Sequence, residues 1–180
     1  MDAGLVAAVG LVALAASSPG AWGSVGMEAG AASQPAGIDP SAQAKMVCAP
    51  DAQSEIGASL GVQPVQVTTP TWIDHVYSCR YIFANGVIVL SVKELPNASA
   101  TRRYFNGLGR RLGRRPQPLL RGQAAFFTTN FSVIVRKDFK VLNVDVSRVP
   151  AQFGDPTLAL DPAQVALNVT GTILKCWPGG

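Results

Sequence analysis

One histidine, three cysteines and a charged fraction of only 14% leave this 180-residue chain short of the groups that most catalysis uses. A hydrolytic triad needs a nucleophile, a base and an orienting group. His75 is the sole imidazole, and Asp74 beside it, in a segment that reads as one strand, falls on the opposite face. The two therefore do not serve as orienter and base, and His75 is expected to be a half-buried strand residue near Tyr77. No G-x-S-x-G, no phosphate-cradling glycine loop and no H-E-x-x-H occurs. One histidine and three cysteines, two of them expected to be oxidised, cannot build a four-ligand zinc site. The acids are scattered, and Asp51 and Glu55 suit a helix N-terminus, where negative charge is favoured. No catalytic residue, metal or cofactor is expected. Among enzymatic alternatives, a site built on Tyr77, Tyr81 and Arg136 is the remaining one, and Cys176 has no base within local reach.

Lysine and arginine are absent before Lys45, and no apolar run is long enough to cross a bilayer. Leu5 to Ala16 is twelve residues of LVAAVGLVALAA, too short for about 30 Å of hydrocarbon. It suits the core of a signal peptide followed by the small residues Ala21-Trp22-Gly23, so residues 1–23 are read as a signal peptide cleaved after Gly23. Its n-region, Met1-Asp2-Ala3-Gly4, lacks the usual positive charge, which marks either an upstream start or an atypical signal. No cysteine lies just after the apolar run, so lipid attachment is not supported. Residues 24–44, rich in Gly, Ala, Ser and Pro, read as a disordered linker. The folded domain is assigned to residues 45–180. It holds all 15 basic residues and eight of the 11 acids, a net charge of +7 against +4 for the whole chain.

What is present divides into short elements. Asp51 caps a helix from Ala52 to Leu60, closed by Gly61, with Ile56 and Leu60 on its buried side. Trp72 to Phe83 reads as one strand carrying His75, Tyr77, Cys79 and Tyr81 on one face. Asn85-Gly86 supplies the two positive-φ positions of a tight hairpin, and Val87 to Val92 is the return strand. Asn97 caps a helix from Ala98 to about Leu112 with a stripe of Thr101, Tyr104, Phe105, Leu108 and Leu112. After the Pro116-Gln117-Pro118 break, strands at Gln123–Thr129, Phe131–Arg136 and Lys140–Val146 are joined tightly enough for an antiparallel meander. Asp161-Pro162 opens a last helix carrying Val165, Leu167, Val169, Ile173 and Leu174. The expected fold is α+β, an antiparallel sheet of about five strands covered by helices in the order α-ββ-α-βββ-α.

Several of these residues resemble a known pattern: Cys48 before the first helix, the Leu60-Gly61 ending, Tyr77-Ser78-Cys79 entering the first strand, Gly122-Gln123-Ala124-Ala125-Phe126, and Val135-Arg136-Lys137-Asp138 with Val141-Leu142. Over Lys45 to Gly180 the layout resembles actinobacterial, mycobacterial-type exported proteins of unknown function, many of them lipoproteins, with a PsbP-like fold. The chain departs from the lipoprotein members in lacking their acylated cysteine. The resemblance implies fold and an extracytoplasmic compartment and transfers no catalytic residue. Two of the cysteines in an exported protein should pair. By placing the first helix against the first strand, the resemblance implies Cys48 with Cys79. Cys48 with Cys176 is the rival.

Arginine is the one concentrated surface feature. Arg102, Arg103, Arg110, Arg111, Arg114, Arg115 and Arg121 fall within twenty residues, and at helical spacing Arg103, Arg110 and Arg114 share a side away from Leu108 and Leu112. Arg binds phosphate and carboxylate with a two-pronged fork. Arg103, Arg110, Arg111, Arg114 and Arg115 are therefore candidate anion-binding residues for anionic lipid, a cell-wall polymer or an acidic envelope protein. The alternative is a solvated face whose cations complement a helix C-terminus. Nucleic acid is disfavoured by export and by the lack of interleaved aromatics. The overall expectation is an exported, non-enzymatic cell-envelope protein that binds a small ligand or a protein partner.

Overall fold

The computed structural model describes residues 37–119 and 122–177. The expected signal peptide, most of the expected linker, and Arg121 lie outside the described residues. Helix α1 is Ala42–Met46, so Ala42 to Ala44, assigned above to the linker, belong to the first helix. Ser41 starts it, accepting from the Ala44 N–H at 3.2 Å. The Ser41 backbone N–H and hydroxyl both donate to the buried carboxylate of Glu94, which also faces Lys140 Nζ at 3.8 Å.

Helix α2 is Pro50–Leu60. Its N-cap is Ala49 and not Asp51; Pro50 takes the first position, where a missing N–H costs nothing. Asp51 lies in the first turn, where its charge meets the helix N-terminus. Gly61 ends the helix at φ +66, the left-handed cap that its Cβ-free backbone permits.

In place of the expected sheet of about five strands, the described residues form an antiparallel sheet of eight: β1 (Gln66–Val67), β2 (Thr71–Ile73), β3 (Val76–Phe83), β4 (Gly86–Glu94), β5 (Gln117–Leu119), β6 (Gly122–Phe127), β7 (Val133–Lys137) and β8 (Lys140–Arg148). The spatial order is β1-β3-β4-β8-β7-β6-β5, with β2 also on β3. Helix α3 (Ala98–Arg111) joins β4 to β5, and α4 (Pro162–Cys176) follows β8. The chain order is thus α-α-ββββ-α-ββββ-α, not α-ββ-α-βββ-α. The extra strands have two to three residues each, too few for an alternating pattern to register. Strand β5 runs through Pro118 because it is an edge, where no partner requires that missing N–H.

Two turns differ from expectation. The segment Trp72–Phe83 is no single strand but a hairpin: Ile73 pairs with Val76 around Asp74 and His75 at φ +50 and +59. Both φ values are positive, as a type I′ turn demands. The hairpin between β3 and β4 turns instead on Ala84-Asn85, since Phe83 pairs with Gly86, and neither turn residue has positive φ. Gly86 serves close packing: a Cβ there would meet the Phe153 ring at 2.9 Å and Arg148 O at 3.2 Å. The meander of β6, β7 and β8 is as expected, with both pairs antiparallel.

The sheet has two unlike faces. On one, Cys79, Tyr81, Phe83, Ile88, Leu90, Val92, Val133, Val135, Leu142, Val144 and Val146 meet α1, α2 and α4 in the main core. Here α4 contributes Val165, Val169, Ile173 and Leu174, while Leu167 is 40% exposed and faces away. Asp161 and Gln164 close a capping box at its start. On the other face α3 covers the β7–β8 end through a small cluster of Phe105, Phe126, Ile134 and Val141.

Cys48 is bonded to Cys79, tying the α1–α2 junction to β3. Beside it the Tyr81 hydroxyl donates to Val47 O at 2.7 Å. Cys176 is free, so the rival pairing with Cys48 does not form.

Candidate functional site

Helix α3 sets the geometry of the arginines. Asn97 caps it by accepting from the Ala100 N–H at 2.9 Å, and Thr101, Phe105 and Gly109 form its buried line. Arg103 and Arg110 project from the opposite side, exposed, with Arg103 Nη1 donating to Ser99 Oγ at 2.7 Å. Arg111 is exposed on a flank, and the guanidinium tips of Arg110 and Arg111 both come near Gly107.

Arg114 does not share that side. The helix ends at Arg111; Gly113 turns at φ +62, the Gly113 N–H donates to Arg110 O and the Arg114 N–H to Gly109 O. This pair of bonds is a Schellman motif, and it carries residues 114 and 115 off the helical path. Leu112, expected in the apolar stripe, becomes 44% exposed as a result. Gly113 was the available signal: a glycine one residue beyond an amphipathic run stops the helix.

Beyond the turn lies a cleft of 250 Å³ between the α3 terminus, β5 and β6. Its lining includes Arg114, Arg115, Leu119, Phe126, Phe127 and Val133. Arg114 Nε is buried there without a hydrogen-bond partner, and Phe127 is 38% exposed. The sequence pattern placed the cations but gave no sign of this apolar floor, because β5 and the edge of β6 meet α3 only in the fold.

Charge pairing is sparse. Lys140 with Glu94 is the one ion pair among the described residues. Arg103, Arg110, Arg111, Arg114 and Arg115 therefore have no acid within 4 Å among the described residues. Arg110 and Arg111 sit in the last turn of α3, where positive charge offsets the helix dipole, but Arg103, in the first half of the helix, has no such role.

The residues considered for catalysis are dispersed. Tyr77 and Tyr81 belong to the main core face, and burial raises both phenol pKa values, with Tyr77 further raising that of Tyr81. Arg136 is two residues from Ile134 on the α3 side, 5.7 Å over the Phe105 ring. The sheet separates it from both tyrosines. His75 is an exposed turn residue whose ring packs edge-on to Trp72 at 5.7 Å, not a half-buried strand residue. Among the described residues no three histidine, cysteine or acidic side chains cluster as metal ligands. Trp177 is buried in the main core, and Trp72 is half-buried with its Nε1 donating to Ile38 O at 2.7 Å.

No family model, curated protein or solved structure matches this chain. Among the described residues no helix is long and apolar enough to cross a membrane.

Proposed function

We propose that this is an exported, non-enzymatic protein of the cell envelope that binds an anionic lipid surface through the arginine end of α3. The observation that carries the reading is the coincidence, at the end of α3 and in the cleft beside it, of exposed apolar side chains and arginines that have no acidic partner among the described residues. Arg110 and Arg111 end α3 next to the exposed Leu112, while Arg114 and Arg115 line the cleft with the partly exposed Phe127. Charge alone suits any polyanion. Charge with protruding apolar groups suits a lipid interface, where headgroups meet acyl chains.

The compartment rests on the apolar segment Leu5 to Ala16 and on the Cys48–Cys79 bond, which persists in an oxidising milieu. The PsbP-like, actinobacterial relationship is part of the same proposal, supported by the motifs quoted above and by the mixed α+β architecture with its antiparallel sheet.

Co-sedimentation with phosphatidylglycerol vesicles tests the lipid reading. Basic residues near an anionic membrane contribute about 1 kcal/mol each, so changing Arg110, Arg111, Arg114 and Arg115 to Ser should weaken binding on the order of 100-fold or more. Because Arg114 is partly buried, the triple variant Arg110→Ser, Arg111→Ser, Arg115→Ser controls for damage to the fold. Binding should also fall steeply with salt. Equal binding by wild type and the triple variant overturns the proposal. Preference for an acidic protein or a soluble polymer over vesicles would redirect it to that partner.

A further inference from the structure

A second cleft lies at the opposite end of α3, away from the arginines just described. It measures 480 Å³ and is lined by Ala98, Arg102, Arg136, Asp138 and Phe139. Its two arginines come from different elements: Arg102 from the first turns of α3, Arg136 from the end of β7. Only the antiparallel meander and the crossing of α3 over it bring them to one cavity.

Arg136 is held in place. Its guanidinium carbon is 5.7 Å from the centre of the buried Phe105 ring, a cation–π arrangement. Its Nε is buried and has no hydrogen-bond partner. With Nε buried, the part of Arg136 that a ligand in the cleft can meet is its pair of Nη groups. A guanidinium that has lost some hydration with no internal acceptor to replace it attracts an oxyanion more strongly than a freely solvated one.

The neighbouring cations are differently occupied. Lys137 Nζ donates to Trp177 O at 3.0 Å and Lys140 faces Glu94, whereas neither Arg102 nor Arg136 has an acid within 4 Å among the described residues. The first turn of α3 contains no acid either, so the partial positive charge of that helix end is not neutralised from within the helix.

Asp138 adds a charge of the opposite sign to the cleft. It sits in the tight turn between β7 and β8 at φ +51 and lines the same cavity, but outside ion-pair distance of both arginines. A bare polyanion meets repulsion from this carboxylate. A ligand with a compact oxyanion at one end and a hydroxyl or ammonium donor at the other satisfies both signs of charge.

We propose that this cleft binds a small phosphate monoester, its phosphate held between Arg102 and Arg136 and a hydroxyl or ammonium group of its organic part donating to Asp138. The site is independent of the lipid-binding end, because it shares none of those arginines.

Isothermal titration calorimetry on the purified protein with its disulfide intact tests this, using inorganic phosphate, glycerol 3-phosphate, phosphoethanolamine and sulfate as probes. The two esters should bind at least tenfold more tightly than inorganic phosphate or sulfate. Arg102→Met, at an exposed position, should weaken ester binding at least tenfold without altering the fold. Arg136→Met, which keeps apolar contact with Phe105, should do the same. Asp138→Asn should bring the esters down toward inorganic phosphate. The Arg110, Arg111, Arg115 triple variant should bind the esters like wild type, which separates this site from the lipid-binding end. No heat with either ester, equal affinity for ester and inorganic phosphate, or unchanged binding by a folded Arg102→Met protein would each overturn the assignment. Binding of glycerol 3-phosphate only as the headgroup of a vesicle, lost in the triple variant, would assign the phosphate to the other end of α3 and overturn it as well.

Discussion

On the side of the sheet covered by α1, α2 and α4, large side chains such as Ile56, Leu60, Tyr81, Leu90, Leu142 and Ile173 are almost wholly removed from water, and a disulfide ties the layers together. On the side covered by α3 the buried cluster is Phe105, Phe126, Ile134 and Val141, joined to the rest by no covalent link among the described residues. Stability is concentrated on the first side and cationic charge on the second. The contrast follows from what burial demands. A face packed by several helices has no room for an unpaired guanidinium, whereas a single amphipathic helix needs only one buried line and leaves the rest of its circumference free to carry Arg102, Arg103, Arg110 and Arg111.

The largest expected effect tests the covalent half of that contrast. Replacing Cys48 and Cys79 together by Ser should lower unfolding free energy by about 3 to 4 kcal/mol through release of the closed loop, measured by urea denaturation. Cys176→Ser, at a free thiol, should leave it within about 0.5 kcal/mol. A loss for Cys176→Ser as large as that of the double variant would break the comparison.

A smaller effect is expected at Tyr81. Tyr81→Phe removes the donor to Val47 O beside the disulfide and should cost about 1–2 kcal/mol. The same residue gives the main face a pH signature. Burial raises the phenol pKa in the folded state, so above the unfolded value of about 10 the unfolded chain releases the proton first. Stability from this group is therefore complete below about pH 10 and declines as pH rises beyond it. Denaturation midpoints between neutral and alkaline pH should show that decline in wild type and less of it in Tyr81→Phe.

The smallest effect belongs to α3. Asn97→Ala removes its cap and should cost about 1 kcal/mol, visible as faster hydrogen exchange of α3 amides with little change in β3 and β4. Even in wild type, α3 should open at lower free energy than those strands. Equal protection of α3 and β4 would mean that the two faces unfold as one unit and that the thin cluster is no weak point.

Some of these features were legible in the residues. The caps at Asn97, Gly61 and Asp161, and the meander from β6 to β8, follow from local chemistry: a polar side chain before a helix, a glycine after it, alternating residues between short turns. Elements that owe their existence to a neighbour were not legible. Strands β1, β2 and β5 are two or three residues long and form because β3 and β6 offer them an edge. The Asp74-His75 turn was hidden because neither residue is a glycine, so that an aromatic and β-branched segment looked continuous. Gly86 resembled a turn glycine, yet its role is to admit Phe153 from a distant loop.

By itself the sequence determined an α+β chain, a basic domain, the positions of the arginines and the scarcity of catalytic groups, since these are properties of composition and short-range spacing. Tertiary structure alone decided which cysteine stays free, that Tyr81 and Arg136 stand on opposite sides of a sheet, and that Arg102 and Arg136 share a cavity. Each of those outcomes depends on contacts between segments far apart in the chain, and no local pattern encodes the distance between two side chains carried on different elements.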